Sequence, residues 1–331
     1  MSESSLVDPF GRRIDYLRIS VTDRCDFRCT YCMDEDVTFM PKEHILSLEE
    51  IVTTARTFIK MGTKRIRITG GEPLVRKNIL WALEQIANTP GLEELTITTN
   101  GSMLKKLGQS LYDVGVSRLN VSLDTLIEEE FNRLTRRNKF KQVVEGIETI
   151  AALPFNRCKI NSVIMKNQND DQILPLAKFA LAHNMDISYI EEMPLGAITA
   201  HDRAESYMSS DDVIELLSNH YQLSKSSATT PGPTQYYKVE GEQGRIGVIS
   251  PHSHNFCSSC NRIRMTVEGR LLLCLGNEHS LDLKPYIRAT NQDKLTLEDA
   301  IIKALALKPE QHYFNLEEEP QILRFMSATG G

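Results

Sequence analysis

Strand-like and helix-like stretches alternate from Ile14 to Met193, and that alternation limits the fold more tightly than any other feature of the 331-residue chain. Strands are read near residues 14–20, 65–69, 94–99, 117–123, 158–164 and 186–192. Amphipathic helices lie between them, as from Leu48 to Met61, where Ser47 and Glu50 have capping-box spacing and Gly62 ends the run. Repeated βα units give a parallel sheet with helices outside it. Eight units would close a barrel; six predict an open, partial one.

Alternation within each strand assigns its side chains to faces. Leu17 and Ile19 point toward the helices, Arg18 and Ser20 away from them. The same phase turns Arg67 and Thr69, Thr96 and Thr98, Asn120, Ser122 and Asp124, and Lys159 and Asn161 to the inner face. A closed barrel would hold branched apolar side chains there. A dry, unpaired polar lining is costly, so this one is expected to hold a polar ligand and water. Solvation along an open sheet is the other reading. Cys158 falls on the helix-facing side, where a buried, inert thiol is expected.

Three thiols, Cys25, Cys29 and Cys32, follow the first strand at C-x₃-C-x₂-C spacing. Thiolate is the soft ligand of iron–sulfur clusters and zinc, and three ligands leave a coordination position open for chemistry. A second triad is Cys257, Cys260 and Cys274, its last two members joined by a hairpin: strand 262–267, turn Glu268-Gly269, strand 270–275. Zinc is the alternative at either triad, as a knuckle with a distant fourth ligand or, with His254, as a Cys₃His site; His254 is otherwise a solvated loop residue. Seven cysteines in a chain expected to be cytoplasmic point to metal or redox chemistry, not disulfides. That location is expected because Met1 to Pro9 lacks a signal peptide's apolar core and no apolar run approaches the ~20 residues of a membrane span. A net charge of −6 gives no diffuse basic face for nucleic acid.

Cys25, Cys29 and Cys32 with Tyr31 resemble the signature of the radical S-adenosylmethionine (SAM) enzymes. Thr69-Gly70-Gly71-Glu72-Pro73 after the second strand resembles the Gly-Gly-Glu-Pro motif, and Asn261-Arg262-Ile263-Arg264 narrows the likeness to the GTP 3′,8-cyclase family, the molybdenum cofactor biosynthesis protein A family. The likeness runs from about Phe10 to Gly331. It implies an α/β fold, a partial six-strand (β/α) barrel of radical SAM type with a C-terminal cluster-binding extension. Cys25, Cys29 and Cys32 would hold one 4Fe–4S cluster, and Cys257, Cys260 and Cys274 a second that meets the substrate base. Gly71, Ser122 and Met193, with the Tyr31 backbone nearby, would contact SAM. Arg18, Arg67, Thr98, Lys159, Arg262, Ile263 and Arg264 would bind GTP. Asp26 departs from the family's usual asparagine between the cluster ligands.

The activity implied is radical cyclisation of GTP to its 3′,8-cyclo-7,8-dihydro form, the first step of molybdenum cofactor biosynthesis. No side chain is assigned as a general base, because the radical comes from the cofactor. An electron donor and the next enzyme of the pathway, cyclic pyranopterin monophosphate synthase, are the implied partners, and a homodimer is compatible with the family. Residues 1–233 are expected to form the barrel, and residues 234–331 the C-terminal domain with the second cluster. Within the first unit a helix is read from Asp211 to His220, and Ser224 to Pro233 as a linker. The family's C-terminal glycine pair, here Gly330-Gly331, would reach the active site. A peptide-modifying radical SAM enzyme with auxiliary clusters and a non-catalytic zinc protein are the alternative readings. Auxiliary domains of the former are richer in cysteine than the three thiols present here.

Overall fold

The computed structural model describes residues 6–33, 36–193, 203–227, 232–289, 295–312 and 314. All six expected strands form, within two residues of the expected ends: β1 (Tyr16–Ser20), β2 (Arg65–Thr69), β3 (Glu94–Thr99), β4 (Arg118–Ser122), β5 (Arg157–Ile164) and β6 (Asp186–Glu191). Helices α1 (Leu48–Lys60), α2 (Ile79–Ala87), α3 (Leu104–Asp113), α4 (Glu128–Thr135), α5 (Phe140–Ala151) and α6 (Ile173–Ala182) connect them. The α1 capping box is present: Glu50 N donates to Ser47 Oγ at 3.1 Å, and Ser47 N donates to the Glu50 carboxylate at 2.7 Å.

The chain then adds α7 (Arg203–Ser206), α8 (Ser210–Ser218), β7 (Leu223–Lys225), β8 (Gln235–Val239), β9 (Arg245–Ile249), β10 (Arg262–Met265), β11 (Arg270–Leu272), β12 (Ser280–Asp282), α9 (Lys284–Ile287) and α10 (Leu297–Leu305). Twelve strands make one sheet in the order β12-β11-β10-β1-β2-β3-β4-β5-β6-β9-β8-β7. β10 lies parallel to β1, with Leu17 opposite Ile263, and β9 lies parallel to β6, with Ile187 opposite Ile246. The sheet therefore runs on past residue 233, and the two flanking parallel strands come from the C-terminal part. It does not close. The antiparallel pairs β10–β11–β12 and β9–β8–β7 cover its two ends with strands of only three residues, short edges that offer little to a foreign strand.

Two expectations need correction. The Ser224–Pro233 stretch is not all linker, because β7 pairs Lys225 with Tyr237 and Leu223 with Val239. Its composition hid a strand whose single apolar residue, Leu223, is only half-buried. The expected hairpin strands also end earlier, at Met265 and Leu272.

Apolar residues of the strands face the helices. Leu17, Ile19, Ile66, Ile68, Ile97, Leu119, Val121 and Ile160 are fully buried against Ile51, Ala55 and Phe58 of α1, Leu83 of α2, Leu111 of α3 and Ile147 of α5 in one core. At about 25 cal/mol per Å² of apolar surface removed from water, this layer is the main source of stability. It leaves the inner face free for polar side chains. No helix among the described residues is long and apolar enough to cross a membrane.

Candidate active site

Register places the inner-face residues in rows. Arg18 is the Cα partner of Arg264 on one side and of Arg67 on the other, so three arginines stand side by side on β10, β1 and β2. Two residues further along the strands, Thr98 pairs with Asn120 and Asn120 with Lys159; the next inward position pairs Ser122 with Asn161 and Asn161 with Ser188. Burial lowers the pKa of Arg18, of Arg67 (to about 10) and of Arg264, and each feels at least one of the other cations. Lys159 is held well below its ordinary value by burial and then by Arg67 and Arg118.

Arg18, Arg67 and Lys159 have few partners among the described residues. Tyr16 lies beside two of them, 5.8 Å from the Arg18 guanidinium and 5.5 Å from that of Arg67. With its amide turned so that oxygen faces the guanidinium, Asn120 accepts from Arg67 at 3.1 and 3.2 Å. Lys159 Nζ donates to Thr234 Oγ1 at 3.4 Å. Yet Arg18 Nε, Arg67 Nε, Thr98 Oγ1, Asn161 Oδ1 and Ser188 Oγ are buried with no hydrogen-bond partner among the described residues. Orphaned polar atoms of this kind call for a ligand or water.

A cavity of about 140 Å³ joins this row to the second cysteine triad. Arg18, Arg67, Arg262 and Arg264 line it together with Cys257, Cys260 and Cys274; Ile263 and Met193 reach it too. Arg18 and Arg67 also border a small cavity beside Lys159 and Arg118, so all five expected cations meet in one region. A larger space of about 750 Å³ adjoins on the open side and shares Phe256, Pro233 and Arg262. The Arg262 guanidinium lies 4.9 Å from the centre of the Phe256 ring.

Among the second triad, burial works to raise the Cys260 thiol, but Lys308 and Arg262 outweigh it and bring it below the ordinary value. Lys308 Nζ donates to Cys260 Sγ at 3.7 Å. Arg12 Nη1 donates to Cys257 O at 2.8 Å while its Nε contacts Asp8 at 2.6 Å, which fixes the cysteine loop to the N-terminal segment. His254 is not aimed at the thiols: its Nε2 lies 3.0 Å from the Asp211 carboxylate on the surface.

The first triad sits on the loop after β1. Burial pushes the Cys25 thiol up to about 12 and raises Cys29 as well, with Cys32 and Cys25 adding to the rise at Cys29. Phe27 N donates to Cys25 Sγ at 3.4 Å, and Asn100 Nδ2 reaches the same sulfur at 3.7 Å. Asp26, the departure from the family pattern, accepts from Asn100 and from Lys139 Nζ, both at 2.7 Å. Burial opposes its charge, but these partners outweigh that and hold its pKa below the usual value. Tyr31 Oη donates to Asp124 Oδ2 at 2.5 Å, and burial lifts Asp124 to about 6. Cys29, Tyr31, Ser122 and Asp124 enclose a cavity of about 30 Å³.

Gly70 and Gly71 are required by the chain itself. A Cβ on Gly70 would lie 2.5 Å from Thr22 O, and one on Gly71 only 2.4 Å from Arg24 O, next to Cys25. Glu72, fully buried, accepts from Leu74 N, Thr99 Oγ1 and Asn100 N, which ties the ends of β2 and β3 together; burial still pushes it up to about 7. The expected SAM contacts are thus spread: Tyr31 and Ser122 beside Cys29, Gly71 against the cysteine loop, Met193 in the arginine-lined cavity. Gly330-Gly331 lies outside the described residues.

Sequence reasoning passed over Arg118, Asn100, Arg12 and Lys308. Arg118 shares the inward phase of Asn120 and was legible; it forms an ion pair with Glu94 at 3.1 Å. The other three act through long-range contacts that no local pattern announces.

The chemistry of the donor sets fits iron–sulfur clusters. Each triad offers three thiols and no carboxylate, with N–H donors directed at sulfur.

Comparison with known proteins agrees with this chemistry. Residues 19–180 match the model of the Radical SAM superfamily, and residues 185–314 that of Molybdenum Cofactor Synthesis C. The GTP 3′,8-cyclase of Pseudomonas entomophila is 55% identical over 99% of this chain and 98% of its own. The GTP 3′,8-cyclase 2 of Pseudomonas aeruginosa is 53% identical over all of both chains. Among solved structures, Streptococcus suis SuiB bound to S-adenosylmethionine superposes with a TM-score of 0.62 over 90% of this chain and 67% of SuiB; at 16% identity that likeness concerns the fold alone. With relatives this similar over its full length, the chain belongs to the radical SAM superfamily, whose members use SAM and a 4Fe–4S cluster, and within it to the GTP 3′,8-cyclases.

Proposed function

We propose that this chain joins ribose C3′ of GTP to guanine C8, the first step of molybdenum cofactor biosynthesis, and that it does so in the cavity between the arginine row and the second cysteine triad. The observation that carries this reading is the row Arg264–Arg18–Arg67, its first two members buried and the third half-buried, mutually repelling and opening with Arg262 onto Cys257, Cys260 and Cys274. A triphosphate brings negative charge to this row of cations. Arg18, Arg67, Lys159, Arg262 and Arg264 hold its oxygens, Thr98 Oγ1 adds a neutral donor, and Ile263 forms part of the wall. Held there, the ribose and base lie between the two thiol sites.

Cys25, Cys29 and Cys32 carry the cluster that binds SAM, with Gly71, Ser122, Met193 and the Tyr31 backbone along the SAM site. When bound, SAM on this reduced cluster supplies a carbon radical able to remove hydrogen from an unactivated ribose carbon. Cys257, Cys260 and Cys274 would hold a second 4Fe–4S cluster, which would supply an iron site for the guanine base. The protein's own part is orientation and exclusion of water: Ile190, Leu272, Leu273 and Phe256 wall the cavity. The first cluster needs an external electron donor, and the product passes to the enzyme that makes the pyranopterin. A cytoplasmic location goes with both.

GTP labelled with deuterium at C3′ tests the assignment. Anaerobically reconstituted protein with SAM and a reductant should move the label into 5′-deoxyadenosine and form the 3′,8-linked nucleotide. Uncoupled 5′-deoxyadenosine without label would show that GTP is not the substrate at this site.

A further inference from the structure

Lys308 is a buried ammonium with no carboxylate partner among the described residues. It follows the C-terminal end of α10 and reaches into the edge of the sheet. Its Nζ donates to Leu273 O at 2.5 Å, to Arg262 O at 3.2 Å and to Cys260 Sγ at 3.7 Å. The three ammonium donors are thereby all used. Two of the acceptors are backbone carbonyls on either side of the β10–β11 turn, which fix the side chain in place. The third is the sulfur of one of the three cysteines that face the arginine-lined cavity.

A buried charge is costly unless it is compensated. Carbonyl dipoles offset part of that cost, and an anionic sulfur directly in contact would offset the rest. Lys308 is thus placed where negative charge on the second thiol site is wanted. Both a hydrogen bond to a ligand sulfur and a nearby positive charge stabilise the more reduced, more negative state of an iron–sulfur cluster and so raise its potential.

We propose that Lys308 is a positioning residue for the second iron–sulfur site, holding Cys260 Sγ through a charge-assisted hydrogen bond and raising the reduction potential of the cluster on Cys257, Cys260 and Cys274. The inference rests on reading that triad as a cluster site. Iron and sulfide content of the wild-type protein tests that reading by itself: content sufficient for only one cluster would end both.

The role of Lys308 is tested on anaerobically reconstituted full-length protein by redox titration followed by electron paramagnetic resonance. Added SAM perturbs the signal of the first cluster and so identifies the second by its insensitivity. In Lys308→Gln, which keeps a neutral donor, the second signal should move to more negative potential with iron content unchanged. In Lys308→Arg, which keeps the charge, it should stay at the wild-type position. A wild-type potential in Lys308→Gln would overturn the proposal, as would equal shifts in both variants. Loss of the second cluster from both would also overturn it, leaving Lys308 as a structural anchor.

Discussion

Arg18 and Arg264 are register partners on adjacent parallel strands, two buried guanidinium groups side by side with a third, Arg67, beyond. Nothing in folding alone favours that arrangement. Each shift is downward, led by burial and reinforced by neighbouring cations. On the proposed function, a bound triphosphate would relieve this repulsion, as expected where a site is preorganised at a cost in stability.

Arg18→Met should therefore stabilise the ligand-free protein and weaken GTP binding together. The gain should be on the order of 1–4 kcal/mol, the range seen when buried ionic groups give way to apolar ones of similar volume. The loss of one charge-assisted contact, roughly 1.5–3 kcal/mol, corresponds to about 10- to 150-fold in affinity. Thermal melts with and without GTP read both. A variant that melts lower without GTP would show that the arginine row stabilises the ligand-free fold.

Lys159 adds a pH dependence whose sign is fixed by its environment. Burial, then Arg67 and Arg118, hold its pKa well below the ordinary lysine value. A bound triphosphate favours the charged form and raises that pKa. GTP binding should then take up a proton wherever the pH lies between the free and bound values. Affinity rises as pH falls through this window, by about tenfold per unit at most for one proton, and levels off below the free value. Calorimetry above about pH 8, where the terminal phosphate is already ionised and releases no proton on binding, in buffers of different ionisation enthalpy measures the uptake. Lys159→Met should abolish it. Equal uptake by wild type and variant would assign the proton elsewhere.

How much of this was legible without coordinates differs by residue. The strands and their polar phase were, because the apolar residues Leu17, Ile19, Ile66 and Ile68 alternate strictly with Arg18 and Arg67. What lay beyond reach was pairing over distance: nothing local in Arg262–Met265 says that it runs parallel to β1, some 245 residues earlier. β7 was hidden for a related reason, since a three-residue edge strand needs little hydrophobicity once β8 supplies the hydrogen bonds. Lys308 and Arg12 were invisible because their partners are mainly backbone carbonyls, which every residue possesses. The cysteines were readable in sequence, but that Cys257, Cys260 and Cys274 share a cavity with Arg18 and Arg67 follows only from the fold.

The two thiol triads should separate genetically. Cys29 neighbours Tyr31 and Ser122, away from the arginines, whereas Cys274 shares their cavity. Cys29→Ala should abolish formation of 5′-deoxyadenosine altogether. Cys274→Ala should leave SAM binding and first-cluster spectra intact while cyclisation of GTP falls below detection. Cyclised product at the wild-type rate from Cys274→Ala would remove the second triad from the reaction.

Gly71 carries the last prediction, and here the chain's own packing decides. The loop after β1 and the loop after β2 touch: Gly71 N donates to Thr22 O at 2.7 Å and Glu72 N to Arg24 O at 2.8 Å. An alanine Cβ at position 71 would meet Arg24 O at 2.4 Å and Arg24 C at 2.6 Å, and Asp23 O at 2.8 Å. These are backbone atoms, so no side-chain rotation relieves the contact; the Arg24 segment must move, and Cys25 moves with it. Position 71 does not need a left-handed backbone, so the cost is steric rather than conformational. Gly71→Ala should consequently lower occupancy of the first cluster and leave the second unchanged, whereas loss of a SAM contact alone would leave both clusters full and weaken only SAM affinity. Iron content, with the SAM-sensitive electron paramagnetic resonance signal as the marker of the first cluster, distinguishes the two. Full first-cluster occupancy in Gly71→Ala would mean that the cysteine loop yields without losing its ligand geometry.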